Sequence, residues 1–187
     1  MHTFLPTAAA AQAWLGFSLM LLAPTLWAAD ANPDEKAVTT RLKTSRHTLL
    51  EGIQSLEKQN TTPISAKLEF EHGKLWLSVY GAKSGLHKCA EKNVLFEVKG
   101  DAAAGKWEPK TEVFEDREHL ARASTQLTLL QTTSVTIAHA VRLVSESGRG
   151  DVYSAIPVLK DGKTAIDVKL ASATGQTVHV FIGETSK

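Results

Sequence analysis

The sequence predicts an α+β protein that runs twice through one order, a helix followed by three antiparallel strands. Three observations predict it. Apolar residues recur at near-helical spacing in two stretches, Val38 to Leu56 and Ile137 to Val144. After each stretch the period shortens to two, as in strands with one buried face. Turn signatures, His72-Gly73, Asp161-Gly162 and Thr174-Gly175, separate the strands.

The first element is a leader. No Asp, Glu, Lys or Arg precedes Asp30, and residues Trp14 to Trp27 are apolar. That run is interrupted by Pro24 and falls short of the roughly 20 apolar residues of a membrane span. Ala29 and Ala31 form an A-x-A cleavage pattern. The expectation is a signal peptide over 1–31, a periplasmic or secreted protein, and no stable membrane span after cleavage. The remaining order divides into a first unit (32–110), a connector (111–132) and a second unit (133–187).

Charge excludes some partners. The chain has 21 basic and 20 acidic residues, and Asp30 would leave with the leader. Nucleic acid and anionic membrane surfaces call for a concentrated basic face, which this balance does not supply. Cys89 is the one cysteine, so no internal disulfide forms and stability rests on an apolar core.

Asn32-Pro33-Asp34-Glu35 starts the first helix, with Asn as cap, Pro in the first turn and Glu closing a capping box. Val38, Leu42, Leu49, Ile53 and Leu56 form its stripe, with a polar gap at Ser45 and Arg46. Gln59 to Pro63 ends it; Asn60-Thr61-Thr62 matches a glycosylation sequon but reads as a turn. Ile64, Ala66, Leu68 and Phe70 then alternate with Ser65, Lys67, Glu69 and Glu71, a strand with one wet face. Leu75, Leu77 and Val79 alternate with Trp76, Ser78 and Tyr80 in the second strand. Val94, Phe96 and Val98 mark the third, beyond a polar segment from Lys83 to Lys92.

The connector carries a helical stripe at Leu120, Ala123, Leu127 and Leu130. Thr133 or Ser134 caps the next helix, and Gly148-Arg149-Gly150 stops it. In the fourth strand Pro157 cannot donate to a ladder, which predicts an edge or bulged position. Ile166, Val168 and Leu170, then Val178, Val180 and Ile182, alternate in the last two strands.

These residues resemble the PepSY family, a small exported module also found in propeptides of thermolysin-type proteases. The second unit carries Ser134-Val135-Thr136-Ile137-Ala138-His139-Ala140, Val152-Tyr153-Ser154-Ala155 and Lys160-Asp161-Gly162-Lys163. The first carries Ile64 to Phe70, Gly73-Lys74-Leu75-Trp76 and Phe96 to Lys106 with its Asp-Ala-x-x-Gly-Lys turn. The resemblance covers most of 45–183. It implies a helix packed on a curled antiparallel three-stranded sheet in each unit, no catalytic residues, and a protease-regulating or ligand-binding role.

No H-E-x-x-H, G-x-S-x-G, Walker loop, G-x-G-x-x-G or C-x-x-C occurs, so a non-enzyme without cofactor is expected. His87-Lys88-Cys89 is the sharpest candidate for reactivity. A thiol near His87, Lys88 and Lys92 favours thiolate, and imidazole with thiolate suits a soft metal. Two ligands fall short of a zinc site, so a surface loop with an incidental Cys is the favoured reading; a link between two copies is the alternative. Trp76 and Tyr80 share a strand face opposite the leucines. They form either an interaction surface or a packing surface for the second unit. The functional expectation is an exported binding or regulatory protein, restraining a protease or engaging another envelope protein. The alternative is a small-ligand or metal sensor using His87, Cys89 and His119.

Overall fold

The structure, a computed structural model, describes residues 33–184. The expected leader and the expected Asn32 cap lie outside the described residues. Among the described residues four α-helices, α1 (Pro33–Arg41), α2 (Leu49–Glu57), α3 (Arg117–Leu130) and α4 (Ile137–Glu146), accompany seven strands. The strands are β1 (Thr62–Glu71), β2 (Lys74–Ala82), β3 (Leu95–Asp101), β4 (Lys110–Val113), β5 (Asp151–Lys160), β6 (Lys163–Ala171) and β7 (Thr177–Gly183).

The α+β class stands, but the strands form one antiparallel sheet rather than two, in the order β4-β3-β2-β1-β5-β6-β7. The junction is the β1–β5 pair, where Ala66 faces Ala155 and Lys67 faces Ser154. One apolar cluster runs through both halves, from Leu49, Ile53 and Leu77 to Val141, Ile166 and Leu170. Joining the sheets edge to edge lets α2 and α4 lie side by side and bury their stripes together on one face. Each fully buried Leu or Ile contributes roughly 1.5–3 kcal/mol of burial.

The hairpins follow their turn residues. His72 and Gly73 both have positive φ, 50° and 78°, as do Asp161 and Gly162, 51° and 75°. Such turns match the twist of the strands they join. Close packing requires Gly81: a Cβ there would stand 2.6 Å from the Phe96 ring and 2.8 Å from Leu56.

Several expectations are corrected. The first helix is broken at its polar gap. A 3-10 turn, Leu42–Thr44, ends α1, and α2 restarts after Thr48, whose side chain closes a capping box with Glu51. The break is useful to the packing, because Arg46 N–H reaches the Ala102 carbonyl at 2.8 Å and His47 lies 3.0 Å from the Ala104 carbonyl. Thr136, rather than Thr133 or Ser134, caps α4 by accepting from His139 N–H. Pro63 lies inside β1, at a register shift, rather than before it. Pro157 sits in a central strand, not at an edge. It faces Ile166 of β6, while the ladder to β1 has ended at Ala155, so its missing N–H breaks no pair with β1.

The connector holds β4 and α3. α3 lies across the sheet face opposite α2 and α4, packing on β1, β3 and β5. The face expected to be wet along β1 and β2 is therefore covered in part: Ser65, Ser78 and Tyr80 are buried.

Candidate functional site

Strand alternation gathers the charged side chains of β1, β2 and β3, with Trp76 and Tyr80, on the face away from α2 and α4. The register sets Lys67, Ser78 and Lys99 in one row and Glu69, Trp76 and Asp101 in the next. Lys99 Nζ lies 2.9 Å from Glu69 and 2.8 Å from Glu71, and Lys67 Nζ lies 2.5 Å from Glu69. The indole of Trp76 sits in this lattice. Its Nε1 donates to the Glu71 carbonyl at 3.3 Å. The ammonium groups of Lys74 and Lys99 stand 5.8 and 5.9 Å from its ring centroid.

The lattice sets the protonation of its members. Burial pushes the Glu69 carboxyl up, but Lys67 and Lys99 together outweigh it and hold the group below its ordinary range. Burial pulls Lys99 down, and hydrogen bonds to Glu71 and Glu69 outweigh that, so its ammonium titrates above the ordinary lysine range.

Trp76 and Tyr80 do lie on one face, as the alternation predicted, yet their surroundings differ. Trp76 is half-buried and Tyr80 is 3% exposed. The Phe114 ring meets Tyr80 edge-on at 4.7 Å, and His119 stacks on Phe114 at 5.1 Å. Burial pushes the Tyr80 phenol up, Glu97 adds to the rise, and Arg122 opposes it. The packing partners of Tyr80 are thus connector residues.

His119, the third residue of the sensor alternative, is engaged elsewhere. Its Nδ1 lies 2.7 Å from the Asp116 carboxylate. Asp116 caps α3 by accepting from the N–H of Glu118 and His119, and the His119 N–H holds its carboxyl below the usual range. Among the described residues, no group of three or more His, Cys, Asp or Glu is placed to hold a metal ion.

Cys89 and His87 are exposed on the β2–β3 loop. The loop is well anchored. Asn93 accepts from Ser84 N–H at 2.8 Å and donates to the Gly85 carbonyl at 2.9 Å. Gln131, after α3, donates to the carbonyls of Leu86 and Lys88 at 2.7 and 3.0 Å. Beside the loop a cleft of about 800 Å³ opens between Asn60, Lys83, His87, Leu130 and Ile137.

Sequence reasoning singled out Trp76 but missed Lys67, Glu69, Glu71 and Lys99 around it. Their signal was present: opposite charges two apart on one strand, matched by a lysine on the third. It missed Arg122 and Gln126 because nothing local says that α3 crosses this face.

No protein-family profile matches the chain, and no curated protein matches it. Among solved structures it is similar to a candidate lipoprotein from Clostridium difficile 630. That likeness has 16% identity, spans 76% of this chain and 90% of the other, and gives a TM-score of 0.37, below the level of a shared fold.

Proposed function

We propose that the protein is an exported, non-catalytic binding or regulatory protein that engages another envelope or secreted protein, a protease among the candidates. The observation that carries this reading is the Trp76 lattice: an aromatic ring held between two lysines by ordered carboxylates, on a sheet face that α2 and α4 leave free. Aromatic anchors in a fixed polar frame are typical of protein interfaces. The two sheet edges, β4 and β7, add a second mode, since an extended peptide can pair with an open edge. β4 is exposed along its whole length.

The leader supports export, and among the described residues no helix is long and apolar enough to cross a membrane. The doubled order of a helix and three strands, and the PepSY resemblance, favour a regulatory module. In this reading each half contributes three strands to the common sheet and one helix, α2 or α4, to its covered face, while α3 and β4 belong to the connector. The test is to titrate the leader-free protein against purified envelope proteases and to measure binding and inhibition. Saturable inhibition that weakens at least about tenfold in Trp76→Ala supports the reading, that being the ordinary cost of a lost anchor. Inhibition that Trp76→Ala leaves unchanged, or no complex with any envelope protein, counts against it.

A further inference from the structure

A second site lies beneath α3, beside the Trp76 lattice, with which it shares only Lys67. A cavity of about 170 Å³ separates α3 from the sheet, lined by Ser65, Lys67, Ser78, Tyr80, Arg122 and Gln126, with Ile156 as its apolar wall. Ser65, Ser78, Tyr80 and Gln126 are 6, 1, 3 and 6% exposed, so four polar side chains have been taken out of water to line one small space. Burying polar groups is costly unless they find partners.

The partners already present define what is left over. Ser65 Oγ donates to the Gln126 carbonyl oxygen at 2.7 Å, which leaves the Gln126 NH2 available. Ser78 Oγ is taken by the Glu97 carboxylate. No Asp or Glu lines the cavity, whereas Lys67 and Arg122 both do, and Arg122 stands by the Tyr80 hydroxyl. The walls are therefore rich in donors. Glu97, behind Ser78, disfavours an anion deep in the site. Lys67 is paired with Glu69, so a ligand's charge belongs at the mouth with the exposed Arg122, and its apolar part against Ile156. At roughly 30 Å³ per water, the space matches about five waters, or a molecule of about six non-hydrogen atoms.

We propose that this cavity binds a short-chain carboxylate, its oxygens held by Arg122 and the Gln126 NH2 and its carbon chain packed on Ile156. Bidentate pairing with a guanidinium is the geometry such a ligand favours. Because α3 forms the roof, occupancy would also tie the connector to the sheet.

The test is an amide-resolved NMR titration of the leader-free protein with pyruvate, lactate and butyrate at constant ionic strength. Glycerol and chloride are the controls. The expected result is saturable shifts at Ser65, Ser78 and the Gln126 side-chain amide. Arg122→Gln, at an exposed position, should weaken binding about tenfold or more, the ordinary worth of a hydrogen bond to a charged group. Gln126→Leu, which keeps volume but removes the NH2, should weaken it as well. No saturable shift with any of the three carboxylates, an equal response to glycerol, or an affinity unchanged in both variants would overturn the proposal. Trp76→Ala should leave carboxylate binding intact, so failure here and failure of the protein-binding reading are separable.

Discussion

Raising the pH tests the packing that removes Tyr80 from the surface. Tyr80 and Tyr153 are the only tyrosines of the chain, and each is 3% exposed. Burial pushes the Tyr153 phenol up to about 12, with Glu35 and Asp167 adding to the rise and the hydrogen bond with Thr177 opposing it. Burial under Phe114 and α3 pushes Tyr80 in the same direction. A phenol at its ordinary value of about 10 is roughly nine-tenths ionised at about pH 11; one at about 12 is roughly one-tenth ionised. A rapid pH jump to about pH 11, followed by near-ultraviolet absorbance, should therefore show less phenolate from the native protein than two ordinary tyrosines give, with Tyr153 almost silent and Tyr80 ionised less than a free phenol. The full signal should develop as the chain unfolds, and at once in urea. The sign follows from linkage. A raised pKa means that the folded state holds the proton more tightly, so this stability is complete below about pH 10 and is lost as the pH rises towards about 12. Tyr80→Phe assigns the remaining titration to Tyr153. Immediate ionisation of one tyrosine equivalent at its ordinary value in the native protein, abolished by Tyr80→Phe, would refute the covering of Tyr80 by Phe114 and α3.

Thr48→Ala removes one arm of the capping box that restarts α2 and should cost about 1 kcal/mol in chemical denaturation; no loss would argue for a continuous first helix. Gly81→Ala forces a Cβ against Phe96 and Leu56, and overpacking of this kind costs about 1–3 kcal/mol. Leu77→Ala, at a fully buried position, should cost about 2–5 kcal/mol. Because one core serves both halves, strand amides of β2 and β6 should lose hydrogen-exchange protection together in Leu77→Ala; loss confined to β2 would contradict a shared core. On the acid side, the lowered pKa of Glu69 gives stability that is present above its ordinary value and lost as the pH falls through the lowered one. Glu69→Gln should flatten that acid limb, and a limb of unchanged slope would mean that the lattice contributes nothing there.

Local chemistry made most of the strands legible, though not β4, nor the buried face of β5, which carries Tyr153, Ala155 and Pro157 rather than Val152, Ile156 and Val158. The alternation around Leu75, Leu77 and Val79 and around Ile166, Val168 and Leu170 placed the buried faces correctly, and the two hairpin turns followed from His72-Gly73 and Asp161-Gly162. Long-range pairing was not legible. Ser65 reads as a wet-face residue until Gln126, 61 positions away, is placed above it by α3. Pro157 reads as an edge marker because sequence shows the missing donor but not that the β1 ladder ends at Ala155. The break between α1 and α2 was visible as the gap at Ser45 and Arg46. Periodicity carried through it because Leu42 and Leu49 both join the core.

The central claim is that the Trp76 face is the working surface. The most direct measurement places a photo-crosslinking amino acid at Trp76 and, separately, at Leu143, which is exposed on α4. The account predicts that one discrete envelope partner is captured from position 76 and not from 143, and that excess unlabelled wild-type protein competes it away while excess Trp76→Ala does not. Capture from 143 alone, or equal competition by the two proteins, would contradict it.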